Sequence, residues 1–136
     1  MKKDRILLVE DDAEMREEMI SVLQENDYLA DMAKDGTAAI SCLEKDSYAL
    51  LLLDLKMPGI NGYEVLKYAR KFHPGVKVLV LSGSPLRPEQ QKSEDQIFPS
   101  GADYERLIAQ EADGFINKPF DVDEVLKKMK TILSVS

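Results

Sequence analysis

Two apolar runs of the chain end in carboxylates: Glu10-Asp11-Asp12 follow Ile6-Leu7-Leu8-Val9, and Asp54 follows Leu50-Leu51-Leu52-Leu53. Two further apolar runs end in Ser82-Gly83 and in Lys118-Pro119. If the runs are parallel strands, their carboxyl ends share one rim, the place where open α/β sheets hold ligands. That rim gathers acids, a small hydroxyl and one lysine. Carboxylates brought together repel one another, and Lys118 alone is too little to offset them. Mg²⁺ takes one or two carboxylates together with phosphate oxygens, so a divalent ion at Glu10, Asp11 and Asp54 completes the set. An aspartate so placed can act as nucleophile toward a phosphoryl group and form an acyl phosphate. Such a transfer asks the protein mainly for positioning and charge neutralisation, which the metal and Lys118 would supply. The Ser82 hydroxyl would donate a hydrogen bond to a phosphoryl oxygen.

The elements that must position these residues follow from periodicity. Ile6–Val9, Ala49–Leu53, Val76–Leu81 and Gly114–Asn117 are short and near-continuously apolar, the pattern of strands buried on both faces. Tyr28–Ala33 is weaker and reads as an edge strand. Between them lie helical stripes: Met15, Met19, Ile20, Val22 and Leu23, closed by Asn26-Asp27; then Ala38, Ala39, Cys42 and Leu43; then Val65, Leu66 and Ala69, closed by His73-Pro74-Gly75. Leu107 and Ile108 mark a fourth stripe, and Val122, Val125, Leu126, Met129 and Leu133 a fifth with Asp121 as N-cap. Strand then helix, five times over, predicts right-handed crossovers and a doubly wound α/β sheet. One connection is out of proportion. Between Ser82 and about Gly101 lie Pro85, Pro88 and Pro99 among mixed charges, where such folds usually use about 2–6 residues.

The chain has 136 residues, enough for a single domain, and 18 Lys plus Arg against 25 Asp plus Glu, a net charge of −7. That field repels nucleic acid and anionic lipid, so direct binding of either is not expected. Cys42 has no partner for an internal disulfide, and the apolar run after Met1-Lys2-Lys3-Asp4-Arg5 is too short for a signal peptide or a membrane span. A cytoplasmic protein is expected.

At these residues the sequence resembles the receiver domain of two-component response regulators. The resemblance spans nearly the whole chain and rests on Ile6-Leu7-Leu8-Val9-Glu10-Asp11-Asp12, Leu53-Asp54-Leu55-Lys56-Met57-Pro58-Gly59 with Asn61-Gly62, Leu81-Ser82-Gly83, and Gly114-Phe115-Ile116-Asn117-Lys118-Pro119-Phe120. It implies one receiver over residues 1–136 with a flavodoxin-like (βα)5 fold, strand order 2-1-3-4-5, and an extended region at about 85–100. It also implies Mg²⁺-dependent phosphorylation of Asp54 by a histidine kinase or phosphotransfer protein. Glu10, Asp11, Asp54 and the backbone carbonyl of Lys56 would hold the metal, Lys118 would assist, Ser82 would be the hydroxyl switch and Phe115 the aromatic switch. Output would pass to a downstream protein through the surface built from the fourth helix, fifth strand and fifth helix. Such a protein is a phospho-acceptor switch rather than a turnover enzyme. The family places an arginine or similar residue five positions after the second acid of its pair. Arg16 therefore selects Glu10 and Asp11 and leaves Asp12 as a helix-start acid.

Each residue has a plainer reading as well. Acids at a helix start are often caps, Ser82 beside Gly83 can be a turn serine, Lys118 can be solvated, and Phe115 taken in isolation reads as core. His73 reads as a surface turn residue and Cys42 as a small packed hydrophobe. Two rival functions remain: a receiver that has become an interaction scaffold, and a phosphohydrolase with an aspartyl-phosphate intermediate. The latter's superfamily sets a general-acid aspartate two residues after the nucleophile, where this chain has Lys56. With no effector segment after the expected fifth helix, the chain reads as a stand-alone receiver or as the receiver of a longer regulator or hybrid kinase.

Overall fold

In the computed structural model the described residues are 4–54, 62–82, 111–117 and 121–134. They form β1 (Arg5–Val9), α1 (Ala13–Glu25), β2 (Leu29–Ala33), α2 (Gly36–Lys45), β3 (Leu50–Asp54), α3 (Gly62–Phe72), β4 (Lys77–Ser82), β5 (Gly114–Asn117) and α4 (Val122–Leu133). The α4 helix is the fifth stripe of the sequence. The stripe at Leu107 and Ile108 and the extended region at about 85–100 lie outside the described residues.

All strand pairs are parallel and the order is β2-β1-β3-β4-β5. The apolar runs behave as the two-sided burial pattern requires. Leu7, Val9, Leu51, Leu53, Val78 and Val80 turn to one face, against Ala39 and Leu43 of α2 and Val65, Leu66 and Ala69 of α3. Ile6, Leu8, Leu50, Leu52, Leu79, Leu81 and Ile116 turn to the other, against Met19 and Leu23 of α1 and Val125, Met129 and Ile132 of α4. β3 is central and buried along its whole length. Burial of each such aliphatic side chain contributes about 1.5–3 kcal/mol.

Helix ends match local chemistry. Asp12 caps α1, its Oδ1 accepting from the Glu14 and Met15 amides at 3.0 and 3.2 Å. Asp35 caps α2 and Asp121 caps α4 in the same manner, at 2.8 and 2.9 Å. Past α1 the chain turns through Asp27, whose φ of 67° lies in the left-handed region. The Tyr28 amide then reaches back to the Leu23 carbonyl at 3.1 Å, which stops the helix and starts β2. Cys42 is half-buried against the core of α2 and α3, as a small hydrophobe would be. His73 is half-buried after α3, its ring centroid 5.7 Å from that of Tyr68. No described helix is long and apolar enough to cross a membrane.

Candidate functional site

Parallel register brings the acids together. Val9 pairs with Leu53, so Glu10 comes level with Asp54 at the carboxyl edge of the sheet. Both strands alternate, and Glu10 and Asp54 continue the Ile6-Leu8 and Leu50-Leu52 series toward the face covered by α1. Asp54 pairs with Leu81 as the last residue of β3, and Ser82, the last residue of β4, pairs with Asn117. Strands β3 and β4 thus each run one residue further than the apolar pattern indicated, so Asp54 and Ser82 belong to the ladder rather than to the loops beyond it.

One carboxylate oxygen each from Glu10, Asp11 and Asp54 lies within 4.8 Å of the other two. Glu10 is 1% and Asp54 3% exposed, while Asp11 is open to solvent. The cluster therefore has two buried oxygen donors and one at the mouth. Oxygens on a single Mg²⁺, at about 2.1 Å from it, lie about 3–4 Å apart. The three carboxylates would have to draw slightly closer around such an ion, and an all-oxygen set is the kind a hard divalent cation takes. Zn²⁺, which favours nitrogen and sulfur, is a poorer match. Such an ion would offset the repulsion that the apolar core forces on the acids by fixing the strand ends.

The loop carrying two of these acids is held from behind. The Arg16 guanidinium donates to the backbone carbonyls of Glu10 and Asp11 at 2.9 and 3.1 Å. The Asp12 amide donates to Glu10 Oε1 at 3.3 Å, and the Glu10 amide donates to the Ala33 carbonyl at 3.0 Å. Sequence spacing identified Arg16 as a marker for the acidic pair; its role as a clamp on the loop emerges only from the contacts. Arg16→Ala is expected to lower thermal stability by about 1 kcal/mol, the net value of ordinary hydrogen bonds at a half-exposed position. It should also weaken Mg²⁺ binding several-fold, readable by isothermal titration. Unchanged metal affinity would show that the loop holds its shape without the clamp.

Phe115 is 46% exposed, which corrects its reading as a core residue. Strand alternation is the cause: Ile116 turns into the core of α1 and α4, so Phe115 points to the other side. With Glu124, Lys127, Lys128 and Thr131 it borders a groove between β5 and α4. Lys56, Lys118 and the side chain of Ser82 lie outside the described residues.

Comparison with known proteins agrees with this architecture. Residues 6–96 match the response regulator receiver domain family. The chain belongs to that family. It is 30% identical over 129 residues to the transcriptional regulatory protein TctD of Salmonella typhimurium, covering 95% of this chain and 51% of that protein. It is 31% identical to the response regulator MprA of Mycobacterium ulcerans, covering 95% and 50%. The receiver thus spans about half the length of these curated relatives. Among solved structures, a CheY-like receiver domain protein from Methanospirillum hungatei superposes with a TM-score of 0.82 at 25% identity, over 98% of this chain and 95% of that one. The response regulator TrrA of Thermotoga maritima, solved in complex with Mg(2+)-BeF, gives 0.74 at 31% identity over 95% and 98%. The flavodoxin-like fold and a place in two-component signalling follow from this membership.

Proposed function

We propose that this receiver is a Mg²⁺-dependent phospho-acceptor switch, phosphorylated on Asp54 by a histidine kinase or a phosphotransfer protein. The observation that carries the reading is the burial of Asp54 at the end of the central strand, with Glu10 and Asp11 oxygens inside 4.8 Å. Glu10, Asp11, Asp54 and the Lys56 carbonyl would hold the ion. When bound, the ion neutralises negative charge on the phosphoryl oxygens. An Asp54 carboxylate oxygen attacks phosphorus, an O–P bond forms, and the N–P bond of the donor histidine breaks with its electron pair left on the imidazole nitrogen. Lys118 pairs with a phosphoryl oxygen. Asp54 pairs with Leu81 and the residue before it pairs with Val9, which would hold its backbone in place during the attack. TrrA, solved with Mg(2+)-BeF and 31% identical, supports the ion and the phosphoryl-like ligand by analogy.

The phosphohydrolase alternative lacks support at its general-acid position, where Lys56 stands. Incubating the chain with a small phosphodonor, with and without Mg²⁺, should yield a single phosphoryl adduct by intact mass only when the ion is present. Turnover of phosphate esters should stay at background. Steady-state turnover would reverse this assignment. Output would proceed through Ser82 and Phe115 to a downstream protein at the surface around β5 and α4. Ser82→Ala is expected to accept phosphate and yet transmit it poorly, because a hydroxyl would no longer bias the two-state element. Equal phosphorylation-dependent amide shift changes in Ser82→Ala and the parent chain would reject that role.

A further inference from the structure

At the opposite end of the sheet from the acids, one side chain bonds across to β4 just ahead of β5. Asp113 precedes β5 and faces Val78, one rung before the first ladder pair, Leu79 with Gly114. The Asp113 amide donates to the Val78 carbonyl at 2.8 Å. Its Oδ2 accepts the Val78 amide, also at 2.8 Å, in the place where a ladder would use a backbone carbonyl. The same oxygen accepts from the Arg70 guanidinium at 2.6 Å. Arg70 also donates to the Val76 carbonyl at 2.7 Å and to the Glu111 carbonyl. One guanidinium on α3 thus joins the entry of β4 to the chain just ahead of β5.

These contacts favour the observed register. After a slip of one residue, Ala112 or Gly114 would face Val78, and neither offers a side-chain acceptor for its amide. Gly114 adds an independent restriction: a Cβ there would meet Ile132 Cδ1 at 3.2 Å, Lys128 Cε at 3.3 Å and Leu79 Cδ1 at 3.5 Å. Asp113 or Phe115 shifted into that place would crowd the Ile132 and Lys128 side chains of α4, which would have to give way. A slip would also exchange Ile116 and Phe115 between faces and move the strand end by about 3.3 Å. The residue after β5 is Lys118.

We infer that Asp113, held by Arg70, is a positioning residue that sets the register of β5, the strand that Lys118 follows directly in sequence. This rests on the reading of Asp54 as phospho-acceptor. Displacement of a reacting group by about 1 Å can cost on the order of 100-fold in rate, so the effect on phosphorylation should be large while the acids themselves are untouched.

The test compares Asp113→Ala, Asp113→Asn and Arg70→Ala with the parent chain, at a temperature where each gives a dispersed folded amide spectrum. Asp113→Ala should be labelled by a small phosphodonor at least about tenfold more slowly. Its Mg²⁺ affinity should be unchanged, and the Gly114–Asn117 amides should exchange faster with solvent. Asp113→Asn keeps an oxygen for the Val78 amide and should recover most of the rate, whereas an ion pair acting only through charge would leave the Asn and Ala variants equally slow. If Asp113→Ala does not fold, Arg70→Ala, which leaves that acceptor in place, should show the same changes with smaller amplitude. A folded Asp113→Ala labelled at the parent rate overturns the inference, as does a loss of Mg²⁺ affinity that parallels the loss of rate. A parent chain that takes no label overturns the reading of Asp54 and this role with it, whereas labelling of both chains at one rate removes only the role of Asp113.

Discussion

Asp54→Asn should abolish the Mg²⁺-dependent phosphoryl adduct altogether while leaving the fold intact. Asn fills nearly the same volume at a position 3% exposed, and the backbone of residue 54 stays paired to β4 through Leu81. What is lost is the nucleophile, since an amide oxygen does not form a stable anhydride with phosphorus. Repulsion among the acids falls at the same time, so metal-free stability should hold or rise. Intact mass after phosphodonor treatment measures the first effect and thermal unfolding in a chelator the second. Labelling of the variant at the parent rate would move the acceptor to another carboxylate.

The second large effect is expected from Glu10→Gln with Asp11→Asn. Two charges about 4–5 Å apart interact by about 1 kcal/mol in water and about 4 kcal/mol at the effective dielectric near a protein surface. Removing two of three neighbouring carboxylates should therefore raise the melting temperature by several degrees without Mg²⁺. The amide side chain introduced by Glu10→Gln keeps an oxygen for the Asp12 amide, so the loop retains its internal bond. With Mg²⁺ the order should reverse, because the parent chain gains binding energy that the variant cannot. Phosphodonor labelling should stop. A fall in metal-free stability would instead make the two acids structural, in the manner of Asp12.

Much of this is legible in the sequence alone. Four apolar runs long enough for strands, with helical stripes between them, dictate a parallel α/β sheet, and the rim residues follow because parallel strands place all their carboxyl ends at one edge. Asp12 and Asp121 were readable as caps because capping is local: side chain and amides lie within three residues. Neighbour relations across the chain were not. Adjacent residues Glu10 and Asp11 are chemically alike, yet one is buried and the other exposed, a difference set by the register of β1 against β3. Phe115 has the composition of a core residue, and only the edge position of β5 and the direction of its alternation leave it at the surface. The Arg70–Asp113 bond links residues 43 positions apart, and Arg16 reaches over one helical turn to two carbonyls that no side-chain pattern marks. Local sequence determines what depends on hydrophobic period and short-range hydrogen bonding; tertiary structure decides which face each rim residue takes, because strand register is a property of two strands at once.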